Sequence, residues 1–349
     1  MKKLSIKNKL TFATILVIGT LSAFLIVSIR GEFSVKQEAQ KSLNALAEMN
    51  SISSVLAAMH NEQAVSLIYI SSNGTKDFPA LALRREATDD AIHDYYNLFK
   101  ERDTNTEKDI SFKELVSARA SVNELKLFSR IDKIYNQINI QLFDRFDLIV
   151  RGSNNSILNS LFESHFTLWH AGDDISNMKI SIGNALELGR FEGAGFADFI
   201  AVKADYEENI RSYKKEASPE LKDFFEQKYQ GVFVDQMTEM VDSVYLDPSF
   251  ANFNSTFENW WATSSAAFNQ LKEVEKYSAD FLAGKANEEL KNANSSIVFS
   301  LILLLAVFVG IILTMVSIIT GIVKSISKID VAVEKMADGF VGEILDIQT

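Results

Sequence analysis

Residues 297–323 read IVFSLILLLAVFVGIILTMVSIITGIV, twenty-seven residues without a charge. Residues 10–29, LTFATILVIGTLSAFLIVSI, are a second uncharged run of twenty residues. A helix needs about 20 apolar residues to cross the ~30 Å hydrocarbon layer, so each run is long enough for one span. Everything else in the chain is arranged around these two runs. A large polar segment lies between them, and only short tails lie outside.

Lysine placement sets the expected orientation. Lys2, Lys3, Lys7 and Lys9 precede the first run, and Lys324, Lys328 and Lys335 follow the second. Short Lys-rich flanks mark the cytoplasmic side. Both ends are therefore expected on the cytoplasmic side of a membrane, with residues 30–296 outside. The charged start of the first run also suits a signal peptide. That run is longer than a signal core, however, and no A-x-A-like site precedes Arg30, so an uncleaved anchor is the expectation.

Composition removes several function classes. There is no cysteine among the 349 residues, so disulfides, thiolate metal sites and thiol chemistry are excluded. The four histidines, His60, His93, His165 and His170, form no H-E-x-x-H pattern, and no metal site or cofactor is expected. There is no Gly-rich phosphate loop, nucleophile elbow or triad order, so the chain is not expected to be an enzyme. The two ends take seven of the 35 basic and five of the 46 acidic residues, leaving 28 against 41 between the runs. A segment with a net charge of −13 repels nucleic acid, and none is expected as a partner. An anionic ligand would need a local basic pocket, which screening over ~8 Å permits.

The segment between the runs has helical periodicity. Leu43, Leu46, Met49, Ile52, Leu56 and Met59 recur at three and four, as do Leu125, Phe128, Ile131, Ile134 and Ile138, and Phe268, Leu271, Val274, Tyr277 and Phe281. No alternating strand pattern persists. Pro79, Pro219 and Pro248 each follow a Ser or Asp closely and predict helix starts. The coarse reading gives helices near 31–71, 79–102, 111–151, 154–171, 173–214, 219–245 and 249–323, the first and last continuous with the uncharged runs. The expected fold is all-α: two stacked helical bundles outside the membrane, flanked by two transmembrane helices.

Two resemblances add to this. Ile322, Ile326, Ile329, Val333 and Met336 form an a/d seam that Met336-Ala337-Asp338-Gly339 then breaks. This resembles the first helix and connector of a HAMP domain, although Ser325 stands where that family usually has a Pro. The stretch ISSVLAAMHNEQAVSLIYISSNGTKDFPALALRREATDDAI from Ile52 resembles the opening of the nitrate- and nitrite-sensing (NIT) domain. Glu62-Gln63 stand at its Glu-Arg place, Ser71 to Gly74 at its break, and Arg84-Arg85 with Thr88-Asp89 at its Gln-Arg-x-x-Thr-Asp helix. Leu127 to Asp132, Gly189-Arg190 through Phe196, and Trp260-Trp261 through Glu275 resemble later segments, so the likeness spans about residues 50–290.

The resemblance implies a helical sensor whose anion pocket is lined by arginines. A planar guanidinium suits a planar nitrate. The residues expected to bind ligand are Arg190, Gln63, Glu62, His60 and Arg85, with Gln63 replacing the family's first-helix Arg. Trp260 and Trp261 are expected in the core. The resulting division is a cytoplasmic N-terminus at 1–9, a transmembrane helix at 10–29, a NIT-like sensor domain at 30–296, a second transmembrane helix at 297–323, and a partial HAMP-like segment at 324–349. The function expected is ligand sensing across the membrane, as the input half of a methyl-accepting chemotaxis receptor that forms a homodimer and takes a nitrate- or nitrite-like anion. The alternatives are a membrane-tethered helical interaction module, or the input of a kinase or cyclase with another ligand.

Overall fold

The computed structural model describes residues 6–75, 78–100, 110–151, 156–251, 253 and 255–337. Every regular element among them is helical: α1 (Ile6–Ser71), α2 (Phe78–Lys100), α3 (Lys113–Asn123), α4 (Phe128–Arg151), α5 (Ser156–Leu188), α6 (Gly195–Glu216), α7 (Pro219–Lys228), α8 (Val232–Leu246) and α9 (Phe257–Ala337). The fold is all-α, as the apolar periodicity requires. The connector read at Met336 to Gly339 extends beyond the described residues.

The chain divides into two compact units, Glu38–Asn287 and the terminal remainder. The terminal unit contains the uncharged runs as parts of two unbroken helices, α1 of 66 residues and α9 of 81. Both helices are long and apolar enough to cross a membrane, and their apolar windows are only 6% and 11% buried. That exposure distinguishes them from core helices of a water-soluble bundle.

In the Glu38–Asn287 unit, four long helices run side by side. On α1, Ser53 meets Trp169 of α5, and His60 meets Asp173 further along it, so α1 and α5 point the same way. Glu48 meets Arg145 and Gln63 meets Asp132, so α4 runs opposite to α1. Gly172 lies against Leu271, and Trp260 donates to the Lys179 carbonyl, so α9 runs opposite to α5. Arg85 of α2 and Arg119 of α3 both face Glu62 on α1, and α3 also packs on α4, while α6 packs on α5, α7 on α9, and α8 on α6. One apolar core runs through all of them. Met49, Ile52 and Met59 on α1, Ile131 and Ile138 on α4, and Leu271 and Val274 on α9 are completely buried, each in its expected stripe.

Breaks fall where the backbone changes hand. The stretch expected as one helix over 111–151 is two, α3 and α4. Leu125 takes φ 55°, and Lys126 N–H returns to the Ser121 carbonyl at 3.0 Å. This is a left-handed helix terminus with a residue other than glycine. Gly231, at φ 92°, separates α7 from α8 within the stretch expected as 219–245. The expected boundary at 171–173 is absent, because α5 continues to Leu188. Pro219 does begin a helix, capped by Ser218 Oγ, which accepts from Leu221 N–H at 3.4 Å. Pro248 does not: it lies in a turn after α8, and α9 starts at Phe257.

Candidate functional site

Helix α1 carries an unusual load of buried polar residues for a core helix: Glu48, His60, Glu62, Gln63 and Ser66 are all buried. Buried polar groups require partners, and each partner fixes a neighbouring helix. Ser53, partly buried, donates to Glu275 at 2.7 Å and accepts from Trp169 Nε1 at 2.9 Å. Lys272 closes that group with contacts of 2.7 and 2.8 Å to Glu275.

Glu62 is the most enclosed charge. It accepts from Arg119 Nε and Nη2 at 2.8 Å each, and from the Tyr135 hydroxyl at 2.8 Å. Burial opposes the charge on Arg119, but its hydrogen bonds to Glu62 and Asp89 outweigh this and raise its pKa. Burial, then the Glu62 charge, pushes the Tyr135 phenol up. Arg85 lies at the edge, donating to Asn123 Oδ1 at 3.0 Å and to the Arg119 carbonyl at 3.3 Å, with its Nε 4.0 Å from Glu62. Gln63 donates to Asp132 Oδ1 at 2.6 Å. His60 Nε2 lies 3.1 Å from Asp173 Oδ1 and 3.3 Å from Asn139 Nδ2.

The five residues expected to bind an anion are therefore divided. His60, Glu62, Gln63 and Arg85 are neighbours on α1 and α2, and each is engaged by protein partners. Arg190 lies elsewhere, in the exposed turn after α5, with no ion pair to Glu187 or Glu192 among the described residues. The expected pocket is not gathered around it. The charges facing His60 and Gln63 are the carboxylates Asp173 and Asp132, which repel an anion.

Two other features emerge. The first is basic. Lys179 on α5 stands 3.9 Å over the Trp261 ring. Burial, then the nearby Arg84 cation, lowers its pKa to about 8. Neither cation has a carboxylate partner among the described residues. Gly183, one turn along α5, makes this possible. A Cβ there would lie 3.1 Å from the Phe257 ring and 3.5 Å from Trp261, so a larger residue would push the Phe257 ring of the stacked pair Phe257–Trp261 outward by a few tenths of an ångström. Trp260 is fully buried and belongs to the core, as expected.

The second is a groove of about 780 Å³ between α4, α5 and the start of α6. Its α4 wall includes Asp132, Asn136, Asn139 and Phe143, and its α5 wall includes His170, Asp173, Asn177 and Asn184. Burial raises the pKa of Asp132 despite the amides of Gln63 and Asn136. Burial also keeps the His170 imidazole neutral to lower pH than usual, against the pull of Asp173, Asp147 and Asp205. The signal was present in the sequence: polar residues recur at three and four on one face of each helix, beside the apolar stripe.

The architecture defines an all-helical bundle domain with a buried polar spine, inserted between two helices of membrane-spanning length. The chain belongs to the nitrate and nitrite sensing (NIT) family, whose pattern residues 54–283 match. That membership implies nitrate or nitrite sensing. The solved structure of the NasR transcription antiterminator is similar in fold, with a TM-score of 0.67, 13% identity, and coverage of 79% of this chain and 78% of that one. No curated protein matches the chain.

Proposed function

We propose that this chain is the input half of a transmembrane receptor, in which an external NIT domain senses a nitrate- or nitrite-like anion and passes the signal to the cytoplasm. The observation that carries the reading is continuity. The first and last helices of the family domain, α1 and α9, extend without a break into the uncharged runs. A change of packing in the domain then has a direct covalent path inward. Helix shifts of ~1–2 Å suffice for such transitions, provided that the ligand binds the two packings unequally.

The anion belongs at Lys179 and Arg84. An uncompensated cation beside an aromatic face, partly withdrawn from water, is the electrostatic complement of a small planar anion. Beyond the membrane, Ile322, Ile326, Ile329 and Val333 are exposed on the single chain. This seam suits pairing with a second copy and relay into a HAMP-like segment of a chemotaxis receptor.

Topology and ligand are tested together. A reporter fused within the 189–194 turn should report export, and one fused after residue 337 should report the cytoplasm. The solubilised chain should gain thermal stability with nitrate or nitrite but not with sulfate. Reversed reporters would sink the membrane reading, and an unchanged melting temperature would sink the anion reading.

A further inference from the structure

Asp174 is a buried carboxylate at the seam between two helices. It is 8% exposed and lies on the part of α5 that meets α6. Its Oδ2 accepts from Asn209 Nδ2 of α6 at 2.8 Å. No Lys or Arg pairs with it among the described residues. A buried carboxylate held by an amide, with no cation beside it, favours its neutral form.

The groups around it reinforce this. On α5, Asp173 precedes it and turns towards His60 of α1, 3.1 Å away. Asp173 also shares a small cavity with Lys272 of α9, but Glu275 holds that ammonium at 2.7 and 2.8 Å. On α6, Asp205 adds a second like charge, and Tyr206 is a phenol kept neutral by burial. His170, one turn earlier on α5, stays neutral to lower pH than usual through burial, against Asp173, Asp147 of α4 and Asp205. Burial, opposed by Asn209 and reinforced by Asp173 and Asp205, raises the Asp174 carboxyl from 3.8 to about 7.

The seam is also tied to α9. Tyr206 of α6 and Tyr229, the residue after α7, share a hydrogen bond of 2.7 Å. On α7, Phe224 stacks on Tyr277 of α9 with centroids 3.9 Å apart and planes 11° from parallel. Helix α9 then continues unbroken through the second uncharged run. A displacement of α6 therefore acts on contacts that end on α9.

We propose that the α5–α6 seam is a proton-operated switch, closed while Asp174 is protonated and opened when it ionises, so that the domain reads the pH of its surroundings as a second stimulus. In the closed seam the carboxyl keeps its proton up to about pH 7, and in an open, solvated seam only up to its ordinary 3.8. The closed form is therefore favoured in acid. It loses ground by about tenfold per pH unit between those two values and levels off above them. The switch does not depend on an anion at Lys179. Only its passage inward along α9 rests on the receptor reading.

The chain contains no cysteine, so two introduced cysteines are its only thiol labelling sites. Ala204→Cys on α6 and Gln137→Cys on α4, both at exposed positions, would carry spin labels on the full chain in lipid nanodiscs. Pulsed dipolar spectroscopy from pH 4 to 8 should show one distance in acid and a second that grows as pH rises. Their ratio should move by up to about tenfold per pH unit and be constant above pH 7. Asp174→Asn should hold the acid distance at every pH, because its amide carries no charge. Asp205→Asn, at an exposed position, should reduce the change without removing it. Lys179→Ala and His170→Gln should keep the change, which separates the switch from the anion reading and from the neighbouring imidazole. A single distance across the whole range overturns the proposal, as does a full response in Asp174→Asn. So does the loss of the response in Lys179→Ala or His170→Gln. If Asp174→Asn does not fold, Asp205→Asn decides, and an unchanged response there overturns the proposal.

Discussion

Glu62 and Arg119 meet through two parallel hydrogen bonds of 2.8 Å in the interior of the bundle, with the Glu62 side chain wholly excluded from solvent. Arg119 also reaches Asp89 at 2.8 Å, so one guanidinium joins α1, α2 and α3. Tyr135 adds α4. The fork geometry makes this the strongest type of neutral-pH ion pair. It also assigns Glu62 a structural role: its charge is already used by the protein.

Breaking that pair on one side should therefore be severe. Arg119→Ala leaves a buried carboxylate without its cation, a change that costs about 3–5 kcal/mol. Glu62→Gln should cost less than Arg119→Ala, because the amide can still accept from Tyr135. The double variant Glu62→Gln with Arg119→Met should recover part of the loss. Chemical unfolding of the solubilised chain measures all three, and a loss below about 1 kcal/mol for Arg119→Ala would show the pair to be dispensable.

The apolar stripes made the helices and the core faces readable, because burial follows the 3.6-residue period. Met49, Ile52, Ile131 and Val274 all fall where that period places them. The breaks were less readable. Leu125 adopts a positive φ that its side chain gives no reason to expect, and Pro248 sits in a turn although its neighbours favour a helix start. The candidate site was only half legible. Glu62, Gln63 and His60 stand out as polar residues on a core helix, but their partners Arg119, Asp132 and Asp173 are 57, 69 and over a hundred positions away. Such pairings depend on packing between helices, which no local pattern encodes. Arg190 illustrates the converse: a motif-like neighbourhood placed it on the surface.

Gln63→Arg, which restores the family's residue, should not by itself create an anion site. The new guanidinium would face Asp132, whose Oδ1 now receives the Gln63 amide at 2.6 Å, and would pair with it. Nitrate affinity should stay within twofold of wild type. Only Gln63→Arg combined with Asp132→Asn leaves the charge free, and that variant should bind nitrate more tightly. Titration calorimetry checks both, and a gain from the single substitution would contradict the expected pairing.

Two buried groups should shape stability against pH with opposite signs. Burial, opposed by the Asn209 amide and reinforced by Asp173 and Asp205, raises Asp174 from 3.8 to about 7. Its folded pKa exceeds its unfolded one, so its contribution is complete below pH 3.8 and is lost as pH rises towards 7. His165, fully enclosed, is lowered to about 4 by burial, against Glu275 and with Lys272. Its contribution is present above its unfolded pKa of 6.5 and is lost as pH falls towards 4. Asp174→Asn should therefore flatten the decline in melting temperature between pH 4 and 7. The same slope in wild type and variant would remove Asp174 from the account.

Lys179 supplies the sharpest test of the anion reading, because it is a cation that titrates near neutrality. With a pKa of about 8, lowered by burial and then by Arg84, it loses its proton in a range where an ordinary lysine keeps it. An anion requires the protonated form. Nitrate affinity should therefore be level below pH 7 and fall by up to about tenfold for each pH unit above 8. Lys179→Ala should abolish the pH dependence and weaken binding by about 10- to 150-fold, the equivalent of one charged hydrogen bond of ~1.5–3 kcal/mol. Lys179→Arg should keep part of the affinity and remove its dependence on pH, because guanidinium does not titrate in this range. Arg190→Ala, at the exposed turn, should change nothing. Calorimetric titrations from pH 6 to 9 distinguish these outcomes. If Arg190→Ala weakens nitrate while Lys179→Ala does not, the anion binds at the turn after α5, and the Lys179–Arg84 assignment is wrong.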